Sequence, residues 1–116
     1  MLEKQYRKLT EKEFAIFEKL MEKDFSGRDV IQEQVLLSEV TEHTDGSGTL
    51  FFKIPTTVKK AEVKQRVPVE GRVETENVTM DILLHVLDGT VSELEFVRYK
   101  DDGNNVLPEP ELIVVE

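Results

Sequence analysis

The chain has no cysteine, so no disulfide framework, thiolate nucleophile or thiolate metal site can be drawn on it. A reducing cytoplasm fits that usage. Long apolar runs are also missing, since none approaches the roughly 20 residues a membrane span needs. The opening Met1, Leu2, Glu3, Lys4, Gln5, Tyr6, Arg7, Lys8 lacks the apolar segment of a secretory signal. Neither export nor a membrane anchor is expected. Histidine is scarce, with His43 and His85 the only two, which leaves little for a His-rich zinc site. No cofactor is implied.

Positive charge is the remaining shortage. Fifteen Lys and Arg stand against twenty-four Asp and Glu, a net charge of -9. Affinity for nucleic acid comes largely from cations that displace counterions from phosphates, so a nucleic-acid partner is disfavoured and a basic protein partner is easier. The imbalance is local. Residues 53 to 72 hold six basic and two acidic residues, whereas residues 73 to 116 hold two basic and eleven acidic.

What is present suits one domain spanning residues 1 to 116, because a core of this size buries enough apolar surface without cross-links or metal. Thr10 and Glu13 form a capping box, with Leu9 and Phe14 at the staple positions. Phe14, Phe17, Leu20 and Met21 then recur at helical spacing and predict a helix over 11–23. Ser26 as N-cap, with Phe25, Asp29 and Val30 around it, predicts a second helix from about 27 to 36 or 37. Gln32 and Gln34 on it can reach solvent or strand edges.

Beyond that point the apolar period falls to two, with Gly and Pro as punctuation. Strands are expected near 38–44, 49–54, 61–67, 78–87, 90–99 and 112–115. Helices first and strands after imply an α+β fold: two N-terminal helices on one face of an antiparallel sheet of five to six strands.

The hairpin at Asp88 and Gly89 decides which side chains share a face. A plain two-residue loop sets Leu84 against Glu93 and Ile82 against Glu95, burying carboxylates among aliphatics. A three-residue loop of Leu87, Asp88 and Gly89 followed by a bulge pairs Met80 with Phe96, Ile82 with Leu94 and Leu84 with Ser92. The second register is expected. It turns Met80, Ile82, Leu84, Val86, Leu94 and Phe96 toward the helices, and Asp81, Leu83, His85, Glu93 and Glu95 away. Leu87, Val91, Val97 and Tyr99 join the outer face, making it apolar enough to expect a cover, such as a second copy of the chain in a homodimer.

The run Leu84, His85, Val86, Asp88, Gly89, then Glu93, Leu94, Glu95, then Asp102, Gly103 resembles the "LHV-x-DG, three residues, ELE, then DG" signature of a small bacterial family of unknown function. Leu9, Thr10, Glu13, Phe25, Gly27, Arg28 and Gln34 are similar to its helical segment, and residues 67–71 to its "VPVEG" stretch. Asn104 and Asn105 stand where the last turn of that pattern is expected to vary. The resemblance implies this fold and a bacterial cytoplasmic source, and transfers no activity. By analogy such proteins look like small immunity or accessory proteins.

His85, Glu93 and Glu95, with Asp81 nearby, are the candidate ligand or partner site: an imidazole and two carboxylates on one sheet face can converge for proton transfer or metal binding. The structural alternative is a satisfied, half-buried histidine among apolar neighbours. Glu62, Val63 and Lys64, with Asp45 upstream, imitate elements of a magnesium nuclease, but Pro68 and Gly71 deny the motif its helix and the charge repels the substrate. Gly46, Ser47 and Gly48 mark a turn, without the helix of a phosphate cradle. Lys53, Lys59, Lys60, Lys64, Arg66 and Arg72 suit either a solvated strand edge or an anion-receiving strip. The expected function is an acidic, immunity-like module that docks a basic protein. The alternative is a small-ligand binder or enzyme built on His85, Glu93 and Glu95.

Overall fold

A computed structural model describes residues 5–103 and 106–116. The first four residues of the opening segment, and Asn104 and Asn105, lie outside the described residues. The Thr10 cap forms as expected: the Glu13 N–H donates to Thr10 Oγ1 at 3.1 Å, and the Thr10 N–H to Glu13 Oε1 at 2.9 Å. Helix α1 covers Glu11–Leu20, three residues short of the expected end. The N–H groups of Glu22 and Lys23 bond to carbonyls three residues back, so the chain tightens out of the α-helix there.

Helix α2 covers Arg28–Leu36. Its N-cap is Gly27 at φ 89°, not Ser26, whose hydroxyl instead donates to the Glu62 carbonyl at 2.8 Å. The capping side chain has been diverted to fasten a neighbouring segment.

The sheet is six-stranded, in the order β1-β2-β5-β4-β3-β6, and every adjacent pair is antiparallel. Its strands are β1 Glu39–Glu42, β2 Leu50–Lys53, β3 Val69–Glu74, β4 Thr79–Leu87, β5 Thr90–Lys100 and β6 Val114–Val115. The strand expected at 61–67 is absent: those residues run irregularly, and pairing begins at Val69. Burial explains the shift, since Val69, Gly71 and Val73 point inward in alternation. Gly71 is a strand residue by necessity, because a Cβ there would lie 2.6 Å from Ile113 Cγ2 and 2.9 Å from Leu20 Cδ2.

The β4–β5 hairpin corrects both registers considered above. The loop has two residues, Asp88 at φ 51° and Gly89 at φ 77°, with Leu87 opposite Thr90 and Val86 opposite Val91. Both left-handed positions are those of a type I′ turn, whose twist matches the strands it joins. Two residues later a bulge at Ser92 changes the count, so His85 faces Glu93, Leu84 faces Leu94 and Ile82 faces Phe96. The aliphatics therefore meet each other. Val91 is a second correction: it precedes the bulge, points inward and is buried, so it belongs to the core and not to the outer face.

Ile16, Phe17 and Leu20 of α1 and Ile31 and Val35 of α2 share one core with Leu50, Val69, Ile82, Leu84, Leu94 and Phe96. The shortest dimension of the molecule is 22 Å, room for one helical layer and one sheet. Among the described residues no helix is long and apolar enough to cross a membrane.

Candidate functional site

The register sets an imidazole and two carboxylates side by side on the face away from the helices. His85 lies directly across from Glu93, and Glu95, opposite Leu83, is the diagonal neighbour on the same face. One ligand atom from each of the three lies within 4.8 Å of the others. His85 Nε2 is 2.9 Å from Glu95 Oε1, with side-chain exposures of 14% and 36%. The imidazole is thus mostly shielded, and the carboxylates reach water.

Arg66 completes the arrangement from outside the sheet. Its Nε donates to His85 Nδ1 at 3.2 Å, so Nδ1 is an acceptor and Nε2 carries the hydrogen that Glu95 receives. The Arg66 backbone is anchored independently, because its carbonyl accepts from the Val86 N–H at 2.8 Å. The Glu93 side chain has no hydrogen bond or ion pair to any other described residue; across to β2, Glu93 faces Phe51. Sequence reasoning missed Arg66 as a member. It stood in a basic run, and nothing in the run singled out this guanidinium.

Asp81 is not part of the cluster. It faces Val97 and accepts from the Tyr99 hydroxyl at 2.9 Å and from Arg72 at 3.4 Å. Tyr99 is pushed above the ordinary phenol range, chiefly by that hydrogen bond and then by the Asp81 charge. Arg72 also lies over the Tyr99 ring, 5.9 Å from its centre. Through Arg72 the basic stretch and the acidic C-terminal third meet within one molecule.

Of the apolar residues expected outside, Leu83 and Val97 are half-buried, while Leu87 and Tyr99 are exposed by 48% and 63%. His43 lies elsewhere, its ring tilted at 42° against Phe51 and accepting at Nδ1 from the Asp45 N–H. Asp45 is held by its own turn, where Ser47 donates to it from both backbone and hydroxyl and lowers its pKa. Glu62, Val63 and Lys64 lie in the irregular stretch packed by Gly27, and the element that follows them is strand β3, not a helix.

Clefts open on other parts of the surface. One runs between α1 and the short 3-10 helix at Pro110–Leu112, and another lies among Val73, Met80, Arg98 and Leu107. Neither includes a residue of the cluster. Against known protein families, curated proteins and solved structures the chain finds no match, so the family resemblance rests on the quoted residues alone.

Proposed function

We propose that the chain is a protein-binding module whose outer sheet face docks a basic partner, in the manner of an immunity protein. The observation that carries this is the composition of that face: half-buried Leu83 of β4 and Val97 of β5 lie on adjacent strands, with Glu70 opposite Leu83 on β3 and Glu93 and Glu95 along β5. Apolar surface flanked by carboxylates supplies an interface with both burial energy and charge complementarity. The net charge of -9 adds long-range attraction for a cationic protein.

The test is direct binding between the purified chain and the basic proteins encoded beside its gene, followed by calorimetry at several ionic strengths. Expected is a complex that weakens with salt, is lost with Glu93→Lys plus Leu83→Asp, and survives Glu18→Lys on the exposed side of α1. A complex indifferent to the outer-face substitutions overturns the proposal. So does the absence of binding to every such neighbour.

A further inference from the structure

We infer that His85, Glu93 and Glu95 form a binding site for a divalent transition-metal ion, zinc being the best fit, and that Arg66 guards it. The inference goes beyond the docking role and stands or falls separately from it. Its base is the convergence within 4.8 Å of three side chains on the two central strands, β4 and β5. The paired stretch of β4 and β5 from His85 opposite Glu93 to Leu83 opposite Glu95 holds Cα positions in register, so side-chain rotation is what is left to bring three donors onto one ion. The bulge at Ser92 lies next to Glu93, a place where such irregularities commonly re-aim a side chain.

The donor set selects the ion. One imidazole and two carboxylates suit zinc and its neighbours, whereas magnesium and calcium take oxygen donors and gain nothing from Nε2. Three protein ligands leave a fourth position open, and it faces solvent. Charge points the same way: two carboxylates here have one guanidinium beside the imidazole, and the Glu93 carboxylate makes no hydrogen bond or ion pair with the described residues. A dication fills that deficit.

Arg66 sets the condition for entry. While it donates to Nδ1, the hydrogen of the imidazole sits on Nε2 and points at Glu95. An ion on Nε2 takes the place of that hydrogen, and the neutral imidazole then carries its hydrogen on Nδ1 instead. Two donors would face each other, so the guanidinium has to turn away. It is free to do so, because Arg66 is exposed and its backbone bond to Val86 does not depend on the side chain.

The test is titration of chelator-treated, tag-free protein with Zn²⁺ by calorimetry and with Co²⁺ by visible absorption. Expected is saturable uptake of one ion per chain with the ligand-field bands of low-coordinate cobalt. His85→Ala should abolish it, and Glu93→Gln and Glu95→Gln should each weaken it by about tenfold or more. His43→Ala should leave it unchanged, and Arg66→Met should tighten it several-fold. Should His85→Ala fail to fold, the near-isosteric Glu93→Gln carries the same decision. Absence of one-to-one uptake, uptake insensitive to the Glu93 and Glu95 substitutions, or uptake lost with His43 overturns the site. Uptake unchanged or weakened by Arg66→Met overturns the guard.

Discussion

The N–H of Val91 donates to Gln34 Oε1 at 2.9 Å across 57 residues of sequence, while Gln34 Nε2 donates to the carbonyls of Gly89 and Lys59 at 2.8 and 2.9 Å. One buried amide thus ties α2 to the tip of the β4–β5 hairpin and to the irregular stretch before β3. Its position matters because Val91 lies directly before the bulge that turns Glu93 outward.

Replacing Gln34 by Leu should therefore loosen the hairpin tip before the rest of the sheet. The N–H of Val91 loses its partner in a dry interior, at about 1–3 kcal/mol for an unsatisfied buried group, whereas the carbonyl of the exposed Lys59 turns to water. Gly89 keeps the bond from the Ala61 N–H and suffers less. Urea unfolding should show a loss of roughly 2–3 kcal/mol. Amide exchange should quicken at Val91 before it does at Leu94. A loss under half of that, with Val91 still protected, would mean that the hairpin tip holds itself.

Arg7 and Glu13 give the fold an acid limit. Burial alone pushes the Glu13 carboxyl up, but hydrogen bonds from Arg7 and the Thr10 N–H outweigh it and hold the group below the ordinary carboxylate range. Arg7 is raised in turn, mainly by its bond to Glu13. A carboxyl depressed in the folded state stabilises fully above its unfolded value of about 4.3, and the gain is lost as pH falls through the lowered folded value. Glu13 is 2% exposed, so Arg7→Met strands a buried charge. Arg7 itself keeps 38% of its side chain in water, and screening trims the expected loss to about 2 kcal/mol at neutral pH. The gap between parent and variant should narrow below pH 4, where protonation relieves Glu13. A constant gap from pH 7 to pH 3 would contradict this.

How far the sequence could be read followed from how local each signal was. Thr10 and Glu13 are three residues apart and speak only to each other, so that helix start was legible. The outward set of Leu83, His85, Glu93 and Glu95 was legible too, because burying carboxylates against aliphatics is too costly to be chosen. The route to it was not. Placing the extra residue in the turn or at Ser92 yields the same two faces from Glu93 onward and opposite ones for Val91, and the backbone angles at Asp88 and Gly89 tell them apart. Val91 was misplaced for that reason. Ser26 was misjudged because its decisive partner, Glu62, is remote in sequence. Arg66 belongs with it, since its meeting with His85 depends on how an irregular segment crosses the sheet end.

Gly89 and Gly103 separate backbone strain from crowding. Both have positive φ, at 77° and 84°, so alanine at either pays about 1–2 kcal/mol for the left-handed conformation. At Gly89 a Cβ would also lie 2.8 Å from Lys60 Cβ and 3.0 Å from the Ala61 carbonyl, whereas at Gly103 nothing among the described residues lies within 4 Å. Thermal unfolding should place Gly89→Ala clearly below Gly103→Ala, and the added loss should loosen the Ala61 N–H to Gly89 bond, read by amide exchange. Equal losses would show that the irregular stretch yields at no cost.

Ser92 offers the sharpest test of the hairpin. It is the one residue without a cross-strand counterpart between the pairs Val86 with Val91 and His85 with Glu93. Deleting it closes the ladder into a regular two-residue hairpin in which every other side chain keeps its face. Deleting Glu95 instead slips Phe96 and all that follows by one position and turns the buried ring toward solvent. The Ser92 deletion should remain folded, within about 1 kcal/mol of the parent because the core contacts are retained, and the Glu95 deletion should not fold. Because the bulge adds local twist, its removal should also change how closely Glu93 approaches His85. Zinc affinity lower than the parent's in an otherwise stable Ser92 deletion would tie the bulge to the cluster. A deletion that unfolds would instead show that the core needs the bulge to match the strands to the helices.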